Sequence, residues 1–129
     1  MDDKRKLRIL VVDDESGIRG YLLVVLESMG CEVVGEASNG IEAVEQYDAL
    51  LPDAVLMDLM MPEMDGLVAS SLIIKKHPKA QITMLTSISD ARDVSNGFQI
   101  GISGYLRKGM ADFEKHLGEM VKDWQNDLL

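Results

Sequence analysis

The chain has 129 residues, 47% hydrophobic and 27% charged, the balance of a soluble globular protein with length for one real core. Thirteen basic against twenty-two acidic residues leave a net charge of −9, which repels phosphate backbones and argues against nucleic acid as a direct partner. No apolar run approaches the roughly 18 residues of a membrane span, MDDKRK lacks a secretory signal's apolar segment, and lone Cys31 makes neither an internal disulfide nor a zinc cluster. The expectation is a cytoplasmic chain, free of membrane, with Cys31 an inert core thiol. The KRK near the N-terminus reads as a solvated end.

Leu7–Val12 is the first of five short apolar runs that read as strands, and it stops at adjacent Asp13 and Asp14. Ile18, Leu22, Val25, Leu26 and Met29 then share one helical face, with Gly30 placed to end that helix. Glu32–Gly35 reads as the second strand. From Asn39 to about Leu50, Ile41, Val44 and Tyr47 fall together on a second helix. The third strand, Ala54–Met57, runs into Asp58. Gly66–Lys76 forms a third helix with Leu67, Leu72 and Ile73 apolar, and it stops before His77-Pro78, because the residue before proline avoids the helical region.

Gln81–Leu85 is the fourth strand. Asp90–Ile100 is a weak fourth helix, since Val, Ser, Asn and Gly are poorer helix formers than Ala. Ser103–Leu106 is the fifth strand, and Phe113, Leu117, Met120, Val121, Trp124 and Leu128 draw the stripe of a last helix that packs on the core. Strict alternation with short connections implies parallel strands, right-handed crossovers and helices on both faces of one sheet. Ligands of such sheets bind beyond the carboxyl ends of the strands.

Asp13, Asp14 and Asp58 all stand at those ends. Each alone reads as a turn or helix cap. If the first and third strands are neighbours, however, three carboxylates converge and repel, and a divalent cation that prefers oxygen ligands, Mg²⁺, offsets the repulsion. On this view Asp13→Asn relieves repulsion and raises the melting temperature without metal. The fourth strand brings the Thr86 hydroxyl to the same edge and the fifth brings Lys108. Metal, hydroxyl and ammonium around one carboxylate make a phosphoryl-binding site.

The stretches VVDDE, VVGEASNGIEAV, MDLMMPEMDG, LTS and GYLRK, in this order and spacing, resemble the receiver domain of two-component response regulators, the CheY-like superfamily, over essentially the whole chain. The resemblance implies an α/β, flavodoxin-like, doubly wound five-stranded parallel sheet of order 2-1-3-4-5 with five helices, residues 1–129 forming one receiver domain. It makes Asp58 the phosphoacceptor, with Asp13, Asp14, Asp58 and the Met60 backbone carbonyl holding Mg²⁺. Thr86 and Lys108 would contact the phosphoryl group, and Tyr105 would be the switch aromatic that follows Thr86. The implied donor is a histidine kinase or histidine phosphotransfer protein. The signal would pass to a downstream protein target or output domain through the fourth helix, fifth strand and fifth helix, and phosphorylation-dependent dimerisation is left open. Such a chain is no enzyme beyond its own phosphorylation and autodephosphorylation.

Gly109 stands where many receivers have proline, an ending that resembles receivers of helix-turn-helix output regulators. A non-proline cis bond costs about 2.5–4 kcal/mol, so a trans Lys108–Gly109 peptide is expected. Met60 and Ile88, both apolar, are expected to obstruct a hydrolytic water and lengthen the life of a phosphoryl aspartate. Two rival readings remain: a haloacid-dehalogenase-type phosphatase, whose DxDx(T/V) signature is absent, and a receiver-like scaffold that ignores phosphorylation.

Overall fold

The apolar runs and stripes sort into β1 (Arg8–Val12), α1 (Ser16–Ser28), β2 (Glu32–Ala37), α2 (Gly40–Leu50), β3 (Ala54–Asp58), α3 (Gly66–Lys76), β4 (Ile82–Thr86), α4 (Ala91–Ile100), β5 (Gly104–Arg107) and α5 (Phe113–Asp127). The computed structural model describes residues 5–87 and 91–128, and the side chains of all these except 91–93. Ile88 and Asp90 therefore lie outside the described residues. Every strand pair is parallel and the order is β2-β1-β3-β4-β5, as expected. Winding reverses between β1 and β3, which opens a crevice at their carboxyl ends.

Period-two alternation sends Ile9, Val11, Leu56 and Leu85 to one face of the sheet, where they meet Leu22 and Leu26 of α1 and Leu117, Val121 and Trp124 of α5. Leu10, Val12, Val55, Met57, Ile82 and Met84 point the other way, onto Ala43 and Tyr47 of α2 and Ala69 and Ile73 of α3. All residues of β3 and β4 are buried, as befits central parallel strands covered on both sides. Each such Leu or Ile stabilises the fold by about 1.5–3 kcal/mol. Among the described residues, no helix is long and apolar enough to cross a membrane.

Two helix faces differ from the sequence expectation. In α2 the buried residues are Gly40, Ala43 and Tyr47, while Ile41 is 42% exposed. In α3 they are Gly66, Ala69, Ser70 and Ile73, while Leu72 is 44% exposed. Close approach accounts for this: α2 and α3 contact each other and bury small residues beside Tyr47 and Ile73, which leaves Ile41 and Leu72 on the outer side. The basic N-terminus is also more than a solvated end, because the Arg5 guanidinium grips both oxygens of Asp53 at 2.6 and 2.7 Å.

Gly30 follows α1 with φ at 87°, the left-handed conformation in which glycine ends a helix without a Cβ clash. Cys31 beside it is 2% exposed, and burial pushes its thiol up to about 11, so the expected inert role stands. No cis peptide occurs among the described residues, and Gly109 adopts φ of 73°, which a proline ring locked near −65° could not match.

Gly66 opens α3 so close to β3 that a Cβ there would strike the Asp58 carbonyl and meet Met84 Sδ, while its N–H donates to the Leu59 carbonyl at 2.8 Å. At this first helical position alanine gains little, and overpacking against fixed backbone costs about 1–3 kcal/mol. Gly66→Ala is expected to lower stability by that order and shift the melting point down by several degrees; urea and thermal unfolding read both.

Candidate functional site at the carboxyl ends of the central strands

Asp13 leaves β1 fully buried, and its polar groups are engaged on every side. Its N–H donates to the Ala37 carbonyl at 3.0 Å, and its Oδ1 accepts from the Glu15 N–H at 2.9 Å. Its Oδ2 lies 2.6 Å from the Lys108 ammonium. Asp58, the last residue of β3, is 5% exposed and places Oδ1 3.1 Å from the same ammonium. Asp14 is exposed at the mouth. One carboxylate oxygen from each of the three aspartates lies within 4.8 Å of the others, so the structure brings the acids together as the sequence predicted.

The Asp58 carboxyl is pushed up to about 6, first by burial and then by the Asp13 charge, with Lys108 pulling the other way. Burial works against the Lys108 ammonium too, but hydrogen bonds and charge from Asp13 and Asp58 prevail and its pKa is raised. The residual repulsion therefore sits on Asp58. Asp13→Asn would turn a donor toward the Lys108 ammonium, so the expected relief moves from Asp13 to Asp58.

Thr86 ends β4 buried beside Asp58, whose strand partner is Leu85. The Lys108 N–H donates to the Thr86 carbonyl at 2.8 Å, which ties the lysine's backbone to the threonine. Thr86 and Tyr105 line a cavity of about 240 Å³ together with Val94, Met110 and His116. Tyr105 is half-buried, its ring 5.4 Å from that of Phe98 at 60° and its hydroxyl over Gly97, where a Cβ would collide with it. Met60 follows two residues after Asp58, its side chain 71% exposed. Its companion in the expected water screen, Ile88, lies outside the described residues.

Three hard oxygen donors with one open to solvent, and an acid whose proton affinity is raised by its neighbours, form a donor set that fits Mg²⁺. Two residues near the site escaped the sequence reading. Arg19 is not on the apolar face named for α1, and its Nη1 donates to the Asp13 carbonyl at 2.6 Å. Phe98 sits in a helix of weak pattern, and only the fold sets it beside Tyr105.

A family model described as the response regulator receiver domain matches residues 9–121. The chain belongs to this family. Among its relatives, chemotaxis protein CheY of Listeria monocytogenes is 37% identical over 121 residues, covering 94% of this chain and 90% of that one. A protein-glutamate methylesterase/protein-glutamine glutaminase of Alkalilimnicola ehrlichii is 38% identical over 127 residues, 96% of this chain but only 32% of its own length. The receiver thus spans about a third of that enzyme relative. Among solved structures, the response regulator domain of Thermotoga maritima CheB superposes with a TM-score of 0.85 at 31% identity, covering 95% of this chain and 98% of that one.

An acid whose pKa is raised on folding holds its proton more tightly in the folded chain than in the unfolded one. Its stabilising contribution is complete below the ordinary value of 3.8 and is lost as pH rises through about 6. Without divalent metal, wild-type stability is expected to fall across that window through this group. Asp58→Asn should flatten the slope and raise the melting temperature at neutral pH; urea unfolding of both proteins at a series of pH values checks it.

Proposed function

We propose that this receiver accepts a phosphoryl group on Asp58 and passes the resulting conformational bias to a protein partner. The observation that carries the reading is the Lys108 ammonium held at 3.1 Å from Asp58 inside a cluster of three carboxylates. The donor class is a phosphohistidine on a histidine kinase or phosphotransfer protein. An Asp58 oxygen bonds to phosphorus in line as the phosphorus–nitrogen bond of the donor breaks, and the leaving imidazole regains its nitrogen lone pair.

Asp13, Asp14 and Asp58, with the Met60 carbonyl, would hold Mg²⁺, which when bound supplies positive charge to the phosphoryl oxygens. Lys108 leaves its place between two carboxylates to meet the new charge. Thr86 is seated at the end of β4 for its hydroxyl to follow the phosphoryl group. Its movement enlarges the space it shares with Tyr105, and the bound group favours the arrangement it binds better. The face formed by α4, β5 and α5 then presents a different surface to a target or output domain. Residues 1–129 act as one receiver unit of a cytoplasmic signalling pathway, without turnover of an external substrate.

Support for the reading comes from the family assignment and from the co-location of acids, threonine and lysine at one sheet edge. Incubation with acetyl phosphate and Mg²⁺ followed by intact mass measurement should show one added phosphoryl group, absent in Asp58→Asn and without metal. No uptake from acetyl phosphate or from any kinase tried would favour the phosphorylation-independent scaffold. Tyr105→Ala is expected to leave uptake near the wild-type rate while weakening partner affinity several-fold, measured as binding of the phosphorylated form.

A further inference from the structure

The first turn of α1 carries a cation where the helix macrodipole favours an anion, and no acidic residue occupies that turn. The N-cap Glu15 makes no side-chain capping bond either. Arg19 nevertheless keeps its side chain 19% exposed and folded back over the start of the helix. One arm, Nη1, donates to the Asp13 carbonyl at 2.6 Å, and Nε donates to Glu36 Oε1 of β2 at 3.2 Å. The guanidinium therefore bridges the end of β1 to the end of β2, in the plane its rigid fork dictates.

The Asp13 carbonyl belongs to the peptide plane whose other end is the nitrogen of Asp14. Fixing that oxygen fixes the orientation of the plane, and with it the Asp14 nitrogen and Cα from which the exposed side chain departs. Asp13 itself is secured by its N–H, both carboxylate oxygens and its burial. Asp14 lacks burial and its carboxyl meets that of Asp58, so its placement rests on this peptide and on that one side-chain contact. We infer that Arg19 is a positioning residue of the acidic centre, orienting Asp14 toward a divalent cation through the Asp13 carbonyl. The inference rests on the reading of Asp13, Asp14 and Asp58 as the Mg²⁺ site.

A through-space role would have the opposite sign. Arg19 brings a positive charge to the main chain of the acidic centre, and if it acted by charge alone its removal would tighten cation binding. Positioning predicts that removal loosens it, as loss of groups that orient metal ligands does.

The test titrates MgCl₂ into the full chain as wild type, Arg19→Met and Arg19→Lys, reading the dissociation constant from amide shifts of residues 13–15. Arg19→Met is expected to raise it about 10-fold. Arg19→Lys keeps the charge without the fork and should weaken binding as well, by less. The phosphoryl uptake rate from acetyl phosphate at saturating Mg²⁺ should stay close to wild type, since the reacting groups are untouched. Melting temperatures without metal, taken for all three, separate this from general loss of structure, which would lower them in step with affinity. Unchanged or tighter Mg²⁺ binding by Arg19→Met overturns the inference while leaving the site reading intact. A wild-type chain that binds no Mg²⁺ sinks both.

Discussion

Three carboxylates gathered at the end of a parallel sheet repel one another, and the burial of two of them removes the water that would otherwise screen the repulsion. The structure answers with a single ammonium delivered from two strands away. Lys108 follows β5, passes β4 by a backbone bond to Thr86 and reaches Asp58 of β3 and Asp13 of β1. That reach requires the strand order: β3 must lie between β1 and β4, and β5 must flank β4. The balance stays incomplete, since Asp58 still holds its proton up to about pH 6, and an incompletely balanced buried acid is poised to gain from any further positive charge.

The two faces of the sheet serve this centre differently. On one, α1 and α5 bring large side chains and a broad apolar layer. On the other, α2 and α3 approach through glycine, alanine and serine, and Gly66 lets the start of α3 press against the Asp58 backbone. The phosphoacceptor candidate is thereby backed by closely packed main chain, whereas Thr86 and Tyr105 border a cavity of about 240 Å³. Packed backbone at the acid and open volume beside Thr86 and Tyr105 thus lie at the same edge of the sheet.

Much of this was legible in the sequence because strands and charges obey short-range rules. Apolar runs that stop at Asp13, Asp58 and Thr86, and two residues short of Lys108, locate the sheet edge without any knowledge of tertiary contacts, and the alternation of runs and stripes fixes the parallel arrangement. Helix faces were less legible, since a hydrophobic pattern weighs side-chain size. At Ala43 and Ala69 it is smallness that earns burial, leaving Ile41 and Leu72 outside. Arg19 left no pattern at all: a side chain bonding to a main-chain carbonyl six residues back has no periodic trace. The Arg5–Asp53 pair, 48 residues apart, was hidden for the same reason.

Cys31 sits where α1 hands over to β2, sealed within the layer that α1 and α5 lay on the sheet. A thiol that is both shielded and protonated at neutral pH reacts with alkylating reagents only when that layer lifts away. Its labelling rate is thus a built-in clock for breathing of the α1–α5 side, read at a position remote from the acids and requiring no introduced probe.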